Sequence, residues 1–257
     1  MAAKKILKYV MFDILRSRMI IAYTVFLFAL SFGIIYLGRD VTKAIVSLLN
    51  VVLLFVPLIS IVFGTIHFYN SQKFMEMLLA LPVKRSSIFW AEYLGLSASL
   101  SIGFLIGAGI PLVAYGAPPA AWYLLVSGVF LTFIFTALAF FASVINKDKA
   151  RGIGFSLMIW FYLSVLFDGL VLLIDLLFSD YPLEKIVLAF TALNPIDLAR
   201  VVILMKLDIS ALMGYTGALF QNFFGTFTGT LFSFGFLLLW TVVPAFVSLK
   251  IFNRKNF

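Results

Sequence analysis

Asp168 and Asp175 stand seven residues apart in a stretch, Gly152 to Phe178, that carries no other charge. At 3.6 residues per turn, side chains seven apart fall on nearly one face of a helix. A carboxylate inside an apolar span costs about 2.5–3.5 kcal/mol on insertion scales. Each must therefore be protonated, paired, or turned toward a helix-lined cavity. Such a pair could serve an intramembrane enzyme, or form a polar track used during conformational change. It could equally be a pair of hydrogen-bonded packing carboxylates at a helix–helix or subunit contact. That last reading takes precedence, because buried polar groups act as glue in membrane bundles.

A second constellation is "LNPIDLAR", with Asn194, Pro195, Asp197 and Arg200. Asparagine before proline at a helix start, with an acid in the first turn, is a capping pattern. Asp197 and Arg200 are spaced i, i+3 to pair. Capping explains all four residues without invoking function. Their place on the outer side of the chain makes this helix the candidate contact for an extracytoplasmic partner.

The remaining candidates are weaker. His67 is the single histidine, and one imidazole is no metal site; it reads as an interfacial hydrogen-bonding residue. Met205 and Met213 are soft enough to touch Cu(I), but two thioethers eight residues apart read as packing. No metal site is expected. Cysteine is absent, which excludes disulfides, thiolate metal sites and cysteine nucleophiles. The chain has no G-x-x-x-x-G-K-[ST] phosphate loop, no G-x-S-x-G elbow and no zinc motif. No enzymatic site and no cofactor are expected in this chain.

The elements that must hold these residues are set by the solvent. Of 257 residues, 63% are hydrophobic and 12% charged, with a mean hydropathy of +1.13. A soluble domain carries about 25% charged residues, so a bilayer is the expected solvent. Continuous apolar runs, without barrel-type alternation, predict an all-α membrane protein. Spans are expected at about 19–38, 44–69, 89–114, 121–145, 153–178 and 227–251, each near the ~20 residues that crossing takes. "YGAPPA" (Tyr115 to Ala120) supplies the turn between the third and fourth. The first run is long enough to stay as an anchor. One domain, 1–257, is expected, with 179–226 as an outer segment packed on the helix ends.

Lysine and arginine orient the bundle. With the N-terminus inside, 14 of the 19 basic residues fall on the inner side. Both termini are thus expected in the cytoplasm, and the net charge of +8 becomes a topology and headgroup signal, with no nucleic-acid partner implied.

Two short segments are not spans. In "KKILKYVMFDILRSR" (4–18), Leu7, Val10, Met11, Ile14 and Leu15 share one helical face, as in a helix lying in the headgroup plane. In "QKFMEMLLALPVKR", Phe74, Met77, Leu78 and Leu81 recur at i, i+3, i+4 and i+7, with Met75 and Leu79 widening the face. Lys73 and Glu76 are spaced to pair, Pro82 ends the helix, and Ser86 can cap the next one. A helix at 72–82 so apolar needs cover on more than one side. Lipid and its own bundle, or a docked partner, could supply it.

"EMLLALPVKRSSIFWAEYL" resembles the stretch after the second span of type-2 ABC exporter permeases, whose pattern is close to E-G-T-L-E-L-L-L-A-T-P-V-x-R. Glu76, Leu78, Leu79, Ala80, Pro82, Val83 and Arg85 stand at matching positions. Lys73 and Phe74 replace Gly-Thr, and Leu81 replaces Thr. The six spans and the amphipathic N-terminal helix fit the same family. The resemblance implies a coupling helix, carrying Phe74, Glu76, Met77, Leu78, Leu79, Leu81 and Pro82, docked on a separate cytoplasmic ATPase that binds ATP and Mg. It also implies a second copy of the permease, two ATPase copies, and residence in the inner membrane.

"LNPIDLARVVIL", "FDGLVLLIDLLF" and "SALMGYTGALF" further resemble segments of NosY-type permeases. That implies copper-site maturation of nitrous oxide reductase, alongside a periplasmic β-helical protein and a copper lipoprotein. Export of lipid, peptide or drug, and a non-transporting membrane scaffold, stay open.

Overall fold

The computed structural model describes residues 2–38, 41–80, 82–116, 118–177, 190–207 and 226–254. Leu81, Met213 and most of the 179–226 segment lie outside the described residues, and Asp175 sits in a helix without a described side chain.

Among the described residues all regular structure is helical. In chain order the helices are α1 (Ala2–Leu15), α2 (Arg18–Gly38), α3 (Val41–Asn70), α4 (Gln72–Leu79), α5 (Arg85–Ala114), α6 (Pro119–Ile145), α7 (149–177), α8 (Pro195–Lys206) and α9 (Phe227–Arg254). Six of them, α2, α3, α5, α6, α7 and α9, are long and apolar enough to cross a membrane. The expected spans are thus present, with ends shifted by a few residues. The largest shifts are at α5 and α7, which start four residues early. At α5, Lys84 takes the N-cap position without a side-chain bond, so Ser86 lies inside the first turn and is not the cap. The turn after α5 is closed by Gly116 at φ 74°, a left-handed conformation that favours glycine, and Pro119 opens α6 where a missing amide costs nothing.

The bundle is built around α6 packed on α3. Of its most apolar window, 72% is buried in α6 but only 11% in α7, so α7 offers most of its surface to lipid or to a neighbour. The α3–α6 crossing is close because Gly64 faces Ala139: a Cβ on Gly64 would sit 2.6 Å from the alanine Cβ. Small residues at a crossing let backbones approach where lipid supplies no hydrophobic drive. Several buried hydroxyls are satisfied by their own helices, as Thr136 donates to the Thr132 carbonyl and Ser143 to that of Ala139, both at 2.7 Å. Thr65 and Ser156 pair across α3 and α7 at 2.7 Å.

One end of the bundle gathers α1, α4 and the last turn of α9. The Tyr9 and Phe74 rings lie 6.2 Å apart, and Arg85 reaches the Asn253 carbonyl. The expected apolar face of α1 is present, with Val10 and Ile14 buried, but it packs on α5: Ser99 donates to the Met11 carbonyl at 3.3 Å. The described part of the outer segment does not hang free. α8 packs against α3, α6 and α9, burying Ile196, Leu198, Ala199 and Ile203 completely or nearly so.

Candidate functional site

α4 hangs between α3 and α5. The chain leaves α3 through Ser71, whose hydroxyl donates to the His67 carbonyl at 2.8 Å, while the Met75 amide donates to the Ser71 carbonyl at 2.8 Å. The eight-residue helix then ends at Ala80, short of the expected 82, and Pro82 is exposed. Pro82 disfavours helix in the residue before it.

Its buried face is not the one the spacing indicates. Met75 is 1% exposed and Leu78 8%, with Phe74 and Leu79 half-buried against the core. Met77 stands out at 59% exposure, beside exposed Lys73 and Glu76. The reason is geometric: with Met75 and Leu79 also apolar, two overlapping faces exist, and the bundle takes the one centred on Met75 and Leu78. Glu76 accepts from Gln72 at 3.2 Å in place of the expected Lys73 pairing.

The root of this elbow is held by a pair that the sequence reading half missed. His67, near the end of α3, meets Glu92 of α5 at 2.7 Å between Nε2 and Oε2. Glu92 is 1% exposed. It could have been noticed as the only acid inside the third span, but its closeness to Lys84 and Arg85 makes it look like a flanking charge. Nearby, Tyr69 donates to the Asn146 carbonyl at 2.9 Å, and Lys149 donates to Asn70 Oδ1 at 3.0 Å. Both tie the α6–α7 connection to the end of α3.

The second cluster joins two groups that look unrelated in sequence. α7 contains a π-helical turn at Tyr162–Leu166, which breaks the regular i to i−4 ladder. The Leu163 carbonyl accepts from Asn194 Nδ2 at 2.8 Å. The same amide nitrogen donates to Asp197 at 2.9 Å, and Asn194 Oδ1 accepts from the Ile196 amide at 3.0 Å, which is the expected N-cap. Arg200 then donates to Asp197 at 2.9 Å and to Asp168 at 2.8 Å. Asp168 is thus a paired carboxylate at a helix–helix contact. Burial and the neighbouring Asp168 push the Asp197 carboxyl up to about 7, against the pull of Arg200. Chemically, the cluster is one guanidinium shared between two acids.

Met205 is buried in α8 and packs. Among the described residues no group of three or more His, Asp or Glu side chains is placed to hold a metal ion.

Comparison with known proteins adds the following. Residues 40–257 match the ABC-2 family transporter proteins. The chain is 27% identical over 223 residues to a probable ABC transporter permease protein NosY from Pseudomonas aeruginosa, covering 79% of this chain and 81% of that one. It is 26% identical over 212 residues to the protein of the same name from Stutzerimonas stutzeri, covering 74% and 76%.

Proposed function

This chain belongs to the ABC-2 family of transporter proteins, as the permease subunit of an ABC transporter, and from that premise we propose that a separate ATPase drives it through α4. The observation that carries the reading is the split surface of that helix. Met75 and Leu78 are buried against the bundle, while Met77, Glu76 and Lys73 are left uncovered. An element bound to its own core on one side and bare on the other can transmit a push. It follows α3 after Ser71 alone and precedes α5 by the five residues 80–84, so displacement of α4 acts on two spans at once.

In this reading α4, both termini and 14 of the 19 basic residues face the cytoplasm, in the inner membrane. A pair of these chains sits on two ATPase subunits, which bind the ATP and Mg. The likeness to two NosY permeases and the "LNPIDLAR" motif support copper-site maturation of nitrous oxide reductase as the process served. A periplasmic β-helical protein and a copper lipoprotein are then the outer partners, approached through the α8 side. The mechanical step is force passed to those partners, or a path opened between spans.

The test is co-expression with its cognate ABC ATPase. The ATPase should co-purify with the wild-type chain and be lost from Met77→Asp, a change at an exposed site. Retention in Met77→Asp would remove the coupling role. Nitrous oxide reductase from cells lacking this chain should be copper-deficient. Normal copper content there, with export of a lipid, peptide or drug impaired, would leave the permease and reassign its cargo.

A further inference from the structure

Two adjoining cavities lie where α1, the end of α3, α4 and α5 meet. The larger, about 310 Å³, is lined by Tyr9, Asp13, His67, Ser71, Phe74 and Glu92 among others. The smaller, about 160 Å³, shares Asp13, His67 and Asn70 with it. Among the described residues no lysine or arginine lines either cavity, on a chain whose net charge is +8. Asp13 and Glu92 thus give the larger cavity an acidic lining on a basic protein.

Glu92 is the unusual group. It is 1% exposed. Its Oε2 meets His67, while its Oε1 is buried with no hydrogen-bond partner among the described residues. His67 already pairs with one oxygen, but a buried carboxylate oxygen with no donor is costly, and an N–H donor would complete it. A divalent metal would find too few ligands, since the described residues hold no suitable cluster of three. The lining is also aromatic: the Tyr9 and Phe74 rings lie 6.2 Å apart, tilted by 31°. Carboxylates and aromatic rings lining one cavity are the chemistry that recognises an organic ammonium group.

We infer that this cavity binds an alkylammonium group, with Glu92 and Asp13 as counter-charges and Tyr9 and Phe74 against its carbon stem. The volume is about ten times a water's share of roughly 30 Å³, enough for a small amine. The same ammonium can come from an aminophospholipid headgroup, since Tyr9 and Phe12 of α1 are exposed rings suited to a membrane surface, or from a soluble amine. An occupant would touch α4 through Phe74, so it would also brace the elbow.

The test uses the full chain in nanodiscs of phosphatidylglycerol alone, with ethylammonium chloride as probe and sodium chloride at equal ionic strength as control. Ethylammonium should raise Tm saturably, with a Kd at least tenfold weaker in Glu92→Gln and in Tyr9→Leu. In a second arm, nanodiscs hold equal phosphatidylethanolamine and phosphatidylglycerol, and native mass spectrometry counts retained lipid. Preferential retention of phosphatidylethanolamine, lost in Glu92→Gln, assigns the site to a headgroup. Saturable ethylammonium binding without that preference assigns it to a soluble amine. Should Glu92→Gln fail to fold, Tyr9→Leu and Asp13→Asn carry the comparison, since both side chains are exposed. Equal responses of wild type and variants to ethylammonium and to phosphatidylethanolamine, or equal stabilisation by sodium, would overturn the site. None of these readouts involves the ATPase, so the result stands apart from the coupling role.

Discussion

Arg200 of α8 donates through Nη1 to Asp168 of α7 at 2.8 Å, across 32 residues of sequence. The same nitrogen serves Asp197 at 2.9 Å. One guanidinium thereby anchors the helix before the last span to a span that is otherwise little buried. Asp168 needs no separate compensation, because its counter-charge arrives from α8.

A double-mutant cycle on this pair should show coupling. Arg200→Gln leaves two carboxylates facing each other and should lower thermal stability more than Asp168→Asn, which leaves Arg200 with Asp197. The double variant should fall short of the sum by about 1 kcal/mol, within the range for residues in contact. Unfolding in detergent measures it, and strict additivity would mean that the pair contributes nothing.

Asp197 sets a pH dependence whose sign follows from its environment. Its carboxyl is raised from the ordinary 3.8 to about 7. Between those values the folded chain binds the proton more often than the unfolded chain. The stability from this group is therefore complete below pH 3.8 and is lost as pH rises through about 7. Asp197→Asn cannot titrate and should flatten that slope, as read by Tm measured from pH 5 to 8. An unchanged slope would assign the dependence to other groups.

Asn194 is fully buried and does two things at once: it caps α8 and satisfies the Leu163 carbonyl at the π-helical turn. Asn194→Ala should lose the cap, about 1 kcal/mol, and leave a buried carbonyl unpaired, about 1–3 kcal/mol more. Asn194→Asp keeps an acceptor for the Ile196 amide but cannot donate to Leu163. Recovery to wild-type Tm in Asn194→Asp would show that the carbonyl bond is dispensable.

On α4 the structure separates two neighbouring methionines. Met75→Asp places a charge in the core and should abolish folding of the elbow, seen as rapid amide exchange from Gln72 to Leu79. Met77→Asp should leave exchange and Tm within about 0.5 kcal/mol of wild type, as for surface changes. Equal damage at both positions would contradict the observed rotation of the helix.

The α4 case shows where reading the residues stops. Phe74, Met77, Leu78 and Leu81 make a legitimate helical stripe, and so do Phe74, Met75, Leu78 and Leu79. Spacing alone cannot choose, since both are apolar at the right period. The choice came from α3 and α5, which fix where the helix begins and how far it is turned. Glu92 shows the complementary failure. Its acid is visible in the sequence, but its partner lies 25 residues away on another helix, and nothing local points to His67. Asn194 as a cap was legible because capping is decided within three residues. Its bond to Leu163 was not, because it depends on a π-helical turn in another element.

The sequence by itself determined the solvent, the number of spans, their approximate ends and the turn at Gly116. These follow from local hydropathy, hydrocarbon thickness and backbone geometry, none of which requires knowing the neighbours. Only the tertiary structure decided which face of α4 is covered, that α1 lies on α5, and that Asp168, Asn194, Asp197 and Arg200 form one cluster. Lipid is indifferent to the rotation of an apolar helix, so periodicity cannot set it. Rotation and register are set by close contacts such as Gly64 on Ala139 and by polar groups that must find partners across elements.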